Sequence, residues 1–234
     1  VLGLVGDHFQ KPFQDGADLV TGSTHKTFFG PQRGVVASNM EEGSFYHPLW
    51  EKIEMEAFPG AVSNHHLGTL LGLLGATYEM LAFKDEYQKR VLENAKAFAA
   101  ALKDSGVSVQ GDPSVDFTET HQVIIEVGKA KGPELARRLD DNRVIANFQA
   151  LPSDSSFSDS SGIRLGVQEM TRFGMGGADF ARLADLMADI ILKDENRANE
   201  VTSLKREFPE MRFCFSRSNA ADMISSLEEA FLSM

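Results

Sequence analysis

Cysteine is almost absent. The 234 residues contain one, Cys214, so an internal disulfide is excluded and a reducing, cytoplasmic setting is expected. Cys214 lies in the apolar run MRFCFS and reads as a buried structural thiol. Basic residues are also short: 23 Lys and Arg against 34 Asp and Glu leave a net charge of −11. That balance excludes sequence-independent nucleic-acid binding. Long apolar runs are missing too. The longest uncharged one, Leu67 to Tyr78, carries three glycines and is shorter than the ~20 residues a bilayer needs. It reads as a buried core helix, and no membrane partner is expected. There is no signal-peptide pattern, no internal repeat and no initiator methionine. The opening VLGLVG reads as the exit of a strand, so the expectation is the C-terminal part of a longer protein.

Metal-ligand patterns are lacking as well. His65 and His66 are neighbours on an expected helix and point ~100° apart, which does not let them share one ion, so no metal is expected. GMGG at 174–177 lacks the lysine and hydroxyl of a phosphate loop and reads as a turn before a helix at 178–192. Asp7 and His8 read as part of a solvated loop.

What is present centres on ADLVTGSTHKTFFGPQRG, residues 17–34. A short apolar strand, Ala17 to Val20, runs into small hydroxyl residues, then Lys26 between His25 and Thr27. A turn, Gly30-Pro31-Gln32-Arg33-Gly34, follows. Ligand sites in α/β proteins gather where a sheet opens into loops. Partial burial of an amine there frees its lone pair for Schiff-base chemistry. Spacing alone leaves two readings open, an imine-forming lysine and a solvated surface lysine.

Residues 34–38, GVVAS, read as a strand buried in a mixed or parallel sheet, and 41–60 as irregular, broken by Pro48 and Pro59. SNHH at 63–66 opens a helix running to Phe83, with Ser63 or Asn64 as its cap. A second helix over 85–104 buries Tyr87, Val91, Ala95, Phe98 and Leu102 at helical spacing. Strands follow at 107–111, 121–127 and 144–148, with a helix opening at Gly132-Pro133 and running to Leu139. The alternation predicts a few-stranded α+β sandwich with helices on one face. Residues 194–207 are a charged helix or linker, and 218–233 an amphipathic tail whose apolar face packs on the same small domain. LPSDSSFSDSSG, 151–162, resembles a flexible linker by composition. Arg164 follows it in an apolar strand and needs an acidic partner, either an internal one or a ligand carboxylate.

Six segments, in order, resemble the serine hydroxymethyltransferase family. STHKT with its Gly-Pro turn resembles the family's pyridoxal-phosphate lysine motif. FPGAVSNHH (58–66), EYQKRVLENAKAFAAAL (86–102), ETHQVIIEV (119–127), SGIRLG (161–166) and TRFGM (171–175) are similar to further family segments. The resemblance implies an α/β fold: part of an aspartate-aminotransferase-like large domain over 1–104, with a connecting helix at 85–104, and a small α+β C-terminal domain over 105–234. It implies Lys26 as the catalytic residue, holding pyridoxal 5'-phosphate as an aldimine. His25, Ser23 and Thr24 would line the cofactor, and the backbone of Ser63 and Asn64 would meet its phosphate in a neighbouring subunit. Arg164 would bind the carboxylate of a small amino-acid substrate. The implied reaction is reversible Cα–Cβ cleavage of a β-hydroxy amino acid, serine to glycine. The implied assembly is a homodimer or dimer of dimers.

Three departures qualify that picture. The turn arginine is displaced to Arg33, and another to Arg172. Ala146-Asn147-Phe148-Gln149 replaces Val-Asn-x-Asn, whose second asparagine helps hold the folate pterin. Tetrahydrofolate dependence is therefore open, with a folate-independent threonine aldolase or transaldolase as the alternative. A further alternative is an incomplete fragment acting as a folding or dimerisation module; an aminotransferase fits SGIRLG less well. The ring-nitrogen aspartate, the stacking histidine and the general base are expected upstream of Val1.

Overall fold

The computed structural model describes residues 6–232. These form two compact units. One comprises Phe13–Lys84 and the segment from Arg212 onward; the other comprises residues 6–12 and Asp85–Met211. Among the described residues no helix is long and apolar enough to cross a membrane.

The first unit contains an antiparallel hairpin, β1 (Leu19–His25) and β2 (Phe29–Ser38). This differs from the buried mixed or parallel sheet expected for 34–38: Val36 is 42% exposed. The expected strand at 17–20 also starts later and runs further. The Gly-Pro turn lies inside β2. Pairing jumps from Ser23↔Gly34 to His25↔Phe29, so Thr24 alone faces the four residues Gly30–Arg33. The turn signal is thus a bulge, and Pro31, with no N–H to donate, is tolerated there.

Residues 41–60 are more ordered than the prolines suggest. Helix α1 (His47–Met55) carries Pro48 in its first turn, where a missing N–H costs nothing, and a π-helical turn follows over Glu56–Ala61. Helix α2 (Leu67–Asp104) is continuous across the junction at which two helices were expected. Its residues to Lys84 belong to the first unit and those from Asp85 to the second. It begins at Leu67, so Ser63 and Asn64 precede the cap position instead of occupying it. At the other end of the first unit, the ring of Phe215 lies 5.8 Å from that of Phe83, and Cys214 is half-buried, not fully buried as expected. The tail helix α7 (Arg217–Leu232) groups with this unit, not with the second.

The second unit is built on an antiparallel sheet of order β3 (Ser108–Gln110), β4 (Gln122–Glu126), β6 (Gly162–Gly166), β5 (Asn147–Gln149). Strand β5 is shorter than the expected 144–148 and displaced toward Gln149. One face is apolar and closed: Val123, Ile125, Ile163 and Leu165 are buried. Helices α3 (Gly132–Asp141), α4 (Gln168–Arg172), α5 (Gly177–Lys193) and α6 (Ala198–Arg206) belong to the same unit. The stripe Tyr87, Val91, Ala95, Phe98 and Leu102 of α2 is buried, as its periodicity predicted. The opposite face alternates to Gln122, Ile124, Glu126 and Arg164, all more exposed.

Candidate functional site

Each unit presents its own set of candidate groups. In the first, Lys26 sits in the three-residue connection between β1 and β2. It is exposed, which corrects the expected partial burial. Among the described residues its amine has no hydrogen bond or ion pair. The connection is held from beneath. Thr24 is 3% exposed, and its hydroxyl donates to the Pro31 carbonyl at 2.7 Å and the Arg33 carbonyl at 3.2 Å. Those bonds commit Thr24 to the bulge, leaving Ser23 and His25 as the free side chains beside Lys26. A Cβ at Gly30 would come within 2.9 Å of the Thr24 carbonyl, so a side chain there would push the two strands apart.

The bulge is also tied to α2. Arg33 Nε donates to Thr69 Oγ1 at 2.9 Å and its guanidinium to the His66 carbonyl at 2.8 Å. Thr69 in turn donates to the same carbonyl at 2.9 Å. The displaced arginine therefore fastens the first turn of α2 to the strand that follows Lys26. Ser63 and Asn64 lie exposed just before that turn. Asn64 Oδ1 accepts from the His65 N–H at 3.1 Å, and the N–H groups of Ser63 and Asn64 are free among the described residues.

In the second unit, Arg164 stands at the middle of β6, between Ile124 and Asn147 on the flanking strands. It is half-buried, and its guanidinium has no hydrogen bond or ion pair among the described residues. Arginines 138, 182 and 197 of the same unit all reach acids. A half-buried guanidinium without such a partner suits an external carboxylate, which matches its fork. Asn147 shares the row and the face of Arg164. The sequence gives it only as part of a departing motif; cross-strand register, not visible in sequence, brings it to the arginine. Gln149 lies on the same face, and its amide donates to the Ala150 carbonyl at 3.2 Å.

The serine-rich approach to β6 is clasped, not a free linker. Asp154 accepts from the N–H of Leu151 at 2.7 Å, from the N–H of Ser161 at 2.8 Å, and from the Ser161 hydroxyl. These bonds, the Ser161 hydroxyl first, hold its carboxyl below the usual carboxylate range. Behind β6, Tyr87 donates to the Gln168 carbonyl at 3.2 Å, and burial raises its phenol well above the ordinary value while the Arg172 charge acts in the other direction. Among the described residues no group of three or more His, Cys, Asp or Glu is placed to hold a metal ion.

A free amine on a pinned loop, with a free hydroxyl and imidazole beside it, fits a carbonyl-bearing cofactor. An unpaired arginine on an open sheet face fits an amino-acid carboxylate. The family model for serine hydroxymethyltransferase matches residues 1–187. The chain is 45% identical over 228 residues to serine hydroxymethyltransferase of Archaeoglobus fulgidus, covering 94% of this chain and 50% of that one. It is 42% identical over 229 residues to that of Korarchaeum cryptofilum, covering 94% and 51%. Among solved structures it resembles L-threonine transaldolase from Pseudomonas fluorescens, with a TM-score of 0.84 at 30% identity over 96% of this chain and 52% of that one. The chain spans about half the length of the curated relatives it matches.

Proposed function

Because the chain belongs to the serine hydroxymethyltransferase family, we propose that it supplies Lys26 and Arg164 to a pyridoxal-phosphate enzyme acting on the Cα–Cβ bond of a β-hydroxy amino acid. Pyridoxal phosphate, when bound, supplies an electron sink for the carbanion left by such cleavage. Lys26 holds the cofactor covalently through its free amine. Ser23 and His25 flank it, and Thr24 acts by fixing the loop. The free N–H groups of Ser63 and Asn64 suit a phosphate, donated to a second subunit of a homodimer. Arg164 grips the substrate carboxylate and so orients the bond to be broken. The supporting observation is the half-buried, unpartnered guanidinium of Arg164 on a strand of the matched family segment.

The cofactor and carboxylate roles are tested separately. Incubation with pyridoxal phosphate and borohydride reduction is expected to add the cofactor's mass to the peptide carrying Lys26, and Lys26→Ala to abolish it. An unlabelled Lys26 would leave the chain as a folding or dimerisation module. Arg164→Ala is expected to keep that label but weaken amino-acid binding on the order of a hundredfold, the loss of a charge-assisted pair of about 3 kcal/mol. Equal binding by the variant would remove Arg164 from the role.

A second reading has its own support: folate-independent transaldolase or aldolase chemistry. Gln149 stands where the family has its second asparagine, and the solved neighbour is named as a threonine transaldolase. Serine cleavage assayed with and without tetrahydrofolate decides between them; a rate unmoved by folate selects the second.

A further inference from the structure

The closed face of the four-stranded sheet is not completely filled. A cavity of about 160 Å³ lies within the second unit, walled by Phe98, Met170, Met175, Phe180, Met187 and Val201. Phe98, Phe180, Met187 and Val201 are all buried. The cavity is a partly open cleft cut into the core of this unit, not a sealed void. Apolar space of roughly 150 Å³ is enough for a benzene-sized guest. The cavity opens to solvent, and three charged residues contribute to its lining: Arg143, Lys205 and Glu169. All three are exposed, and among the described residues none of their charged groups has a hydrogen bond or ion pair. That sets them apart from the paired arginines nearby on α3 and α5: Arg138 meets Asp194 at 2.8 Å and Arg182 meets Glu207 at 2.7 Å. Arg143 is held in place by its backbone, at φ 68°, with its N–H donating to the Asp140 carbonyl at 2.8 Å.

We propose that this cavity is a binding site for a small arylalkanoate: one aromatic ring in the Met- and Phe-lined pocket, and a carboxylate at the Arg143–Lys205 rim. The Met- and Phe-lined wall suits an aromatic ring. Thioether sulfurs make favourable contacts at ring edges, and three methionines line the wall. Two free cations against one free anion favour a negative head group over a neutral or positive one. The site faces away from Arg164, since Leu165, which lines it, points to the opposite side of β6. It is therefore separate from the proposed substrate carboxylate site and does not rest on that reading.

Methyl-labelled methionine in the full 234-residue chain, observed by NMR, reads the site directly. Titration with 3-phenylpropionate is expected to shift the methyls of Met170, Met175 and Met187 saturably and leave that of the exposed Met55 unmoved. Combining Lys205→Glu with Arg143→Asn is expected to weaken binding about tenfold or more. Asparagine tolerates the left-handed backbone at 143, and both side chains are exposed, so the fold is retained. Absence of saturable shifts at those three methyls overturns the site. Equal affinity for 3-phenylpropylamine, or unchanged affinity in the double variant, overturns the anionic class of ligand.

Discussion

Asp154 ties the approach to Arg164 together through three accepted hydrogen bonds. Its folded pKa is lowered, chiefly by the Ser161 hydroxyl. A lowered carboxylate pKa contributes stability in full above the unfolded value and loses it as pH falls toward the folded one. Wild type is therefore expected to melt higher than Asp154→Asn at neutral pH, with the gap narrowing from about pH 4 downward. Melting curves across that range check it; a gap independent of pH would dissociate the clasp from the charge. Composition made this segment resemble a linker, because serine and aspartate are read as solvated. Which carboxylate closes on which backbone N–H depends on the loop's return path, and that is not written in local composition. Arg164 was legible for the opposite reason. A charge in an apolar strand is conspicuous, and alternation alone puts it on the face opposite Ile163 and Leu165.

At the level of elements, a buried amide joins α2 to the α4–α5 corner. Asn94 is 2% exposed, and its Nδ2 donates to Thr171 Oγ1 and the Met175 carbonyl, both at 2.9 Å. Asn94→Leu would leave that carbonyl unpaired in the interior. The expected loss is about 2 kcal/mol, read as a lowered urea midpoint at unchanged slope; a change under about 0.5 kcal/mol, typical of a surface site, would refute it. Helical period placed Val91, Ala95 and Phe98 inside, and Asn94 lies on the same side, but its partners stand 77 and 81 positions along the chain. Long-range polar pairing is beyond the reach of periodicity. The hairpin shows a different limit. Glycine and proline at 30–31 were rightly read as a break in regular pairing, yet a break inside a strand and a turn between strands have the same local chemistry. Thr24, which fills the bulge, decides between them only once the strands are paired.

For the molecule as a whole, the two units differ in how they treat apolar side chains. The second buries its stripe on α2. The first leaves Phe45, Tyr46, Met55, Phe58 and Tyr78 exposed, at 89, 57, 69, 57 and 51%. Leu67, Leu70, Leu71 and Leu74, expected in a buried core helix, are 49, 38, 36 and 40% exposed. Sequence showed that this segment is apolar but not that the described chain covers it only in part. Several half-exposed leucines on one helical segment suit an interaction surface. The chain is therefore expected to self-associate through this part of α2. Leu70 and Leu74 stand one helical turn apart on one face, so Leu70→Glu with Leu74→Glu places two like charges in the contact. Sedimentation velocity should show concentration-dependent association for wild type and a slower-sedimenting species for the double variant, with far-UV circular dichroism unchanged. If both chains sediment alike at every concentration, association through this face is wrong, and the exposed leucines need another cover.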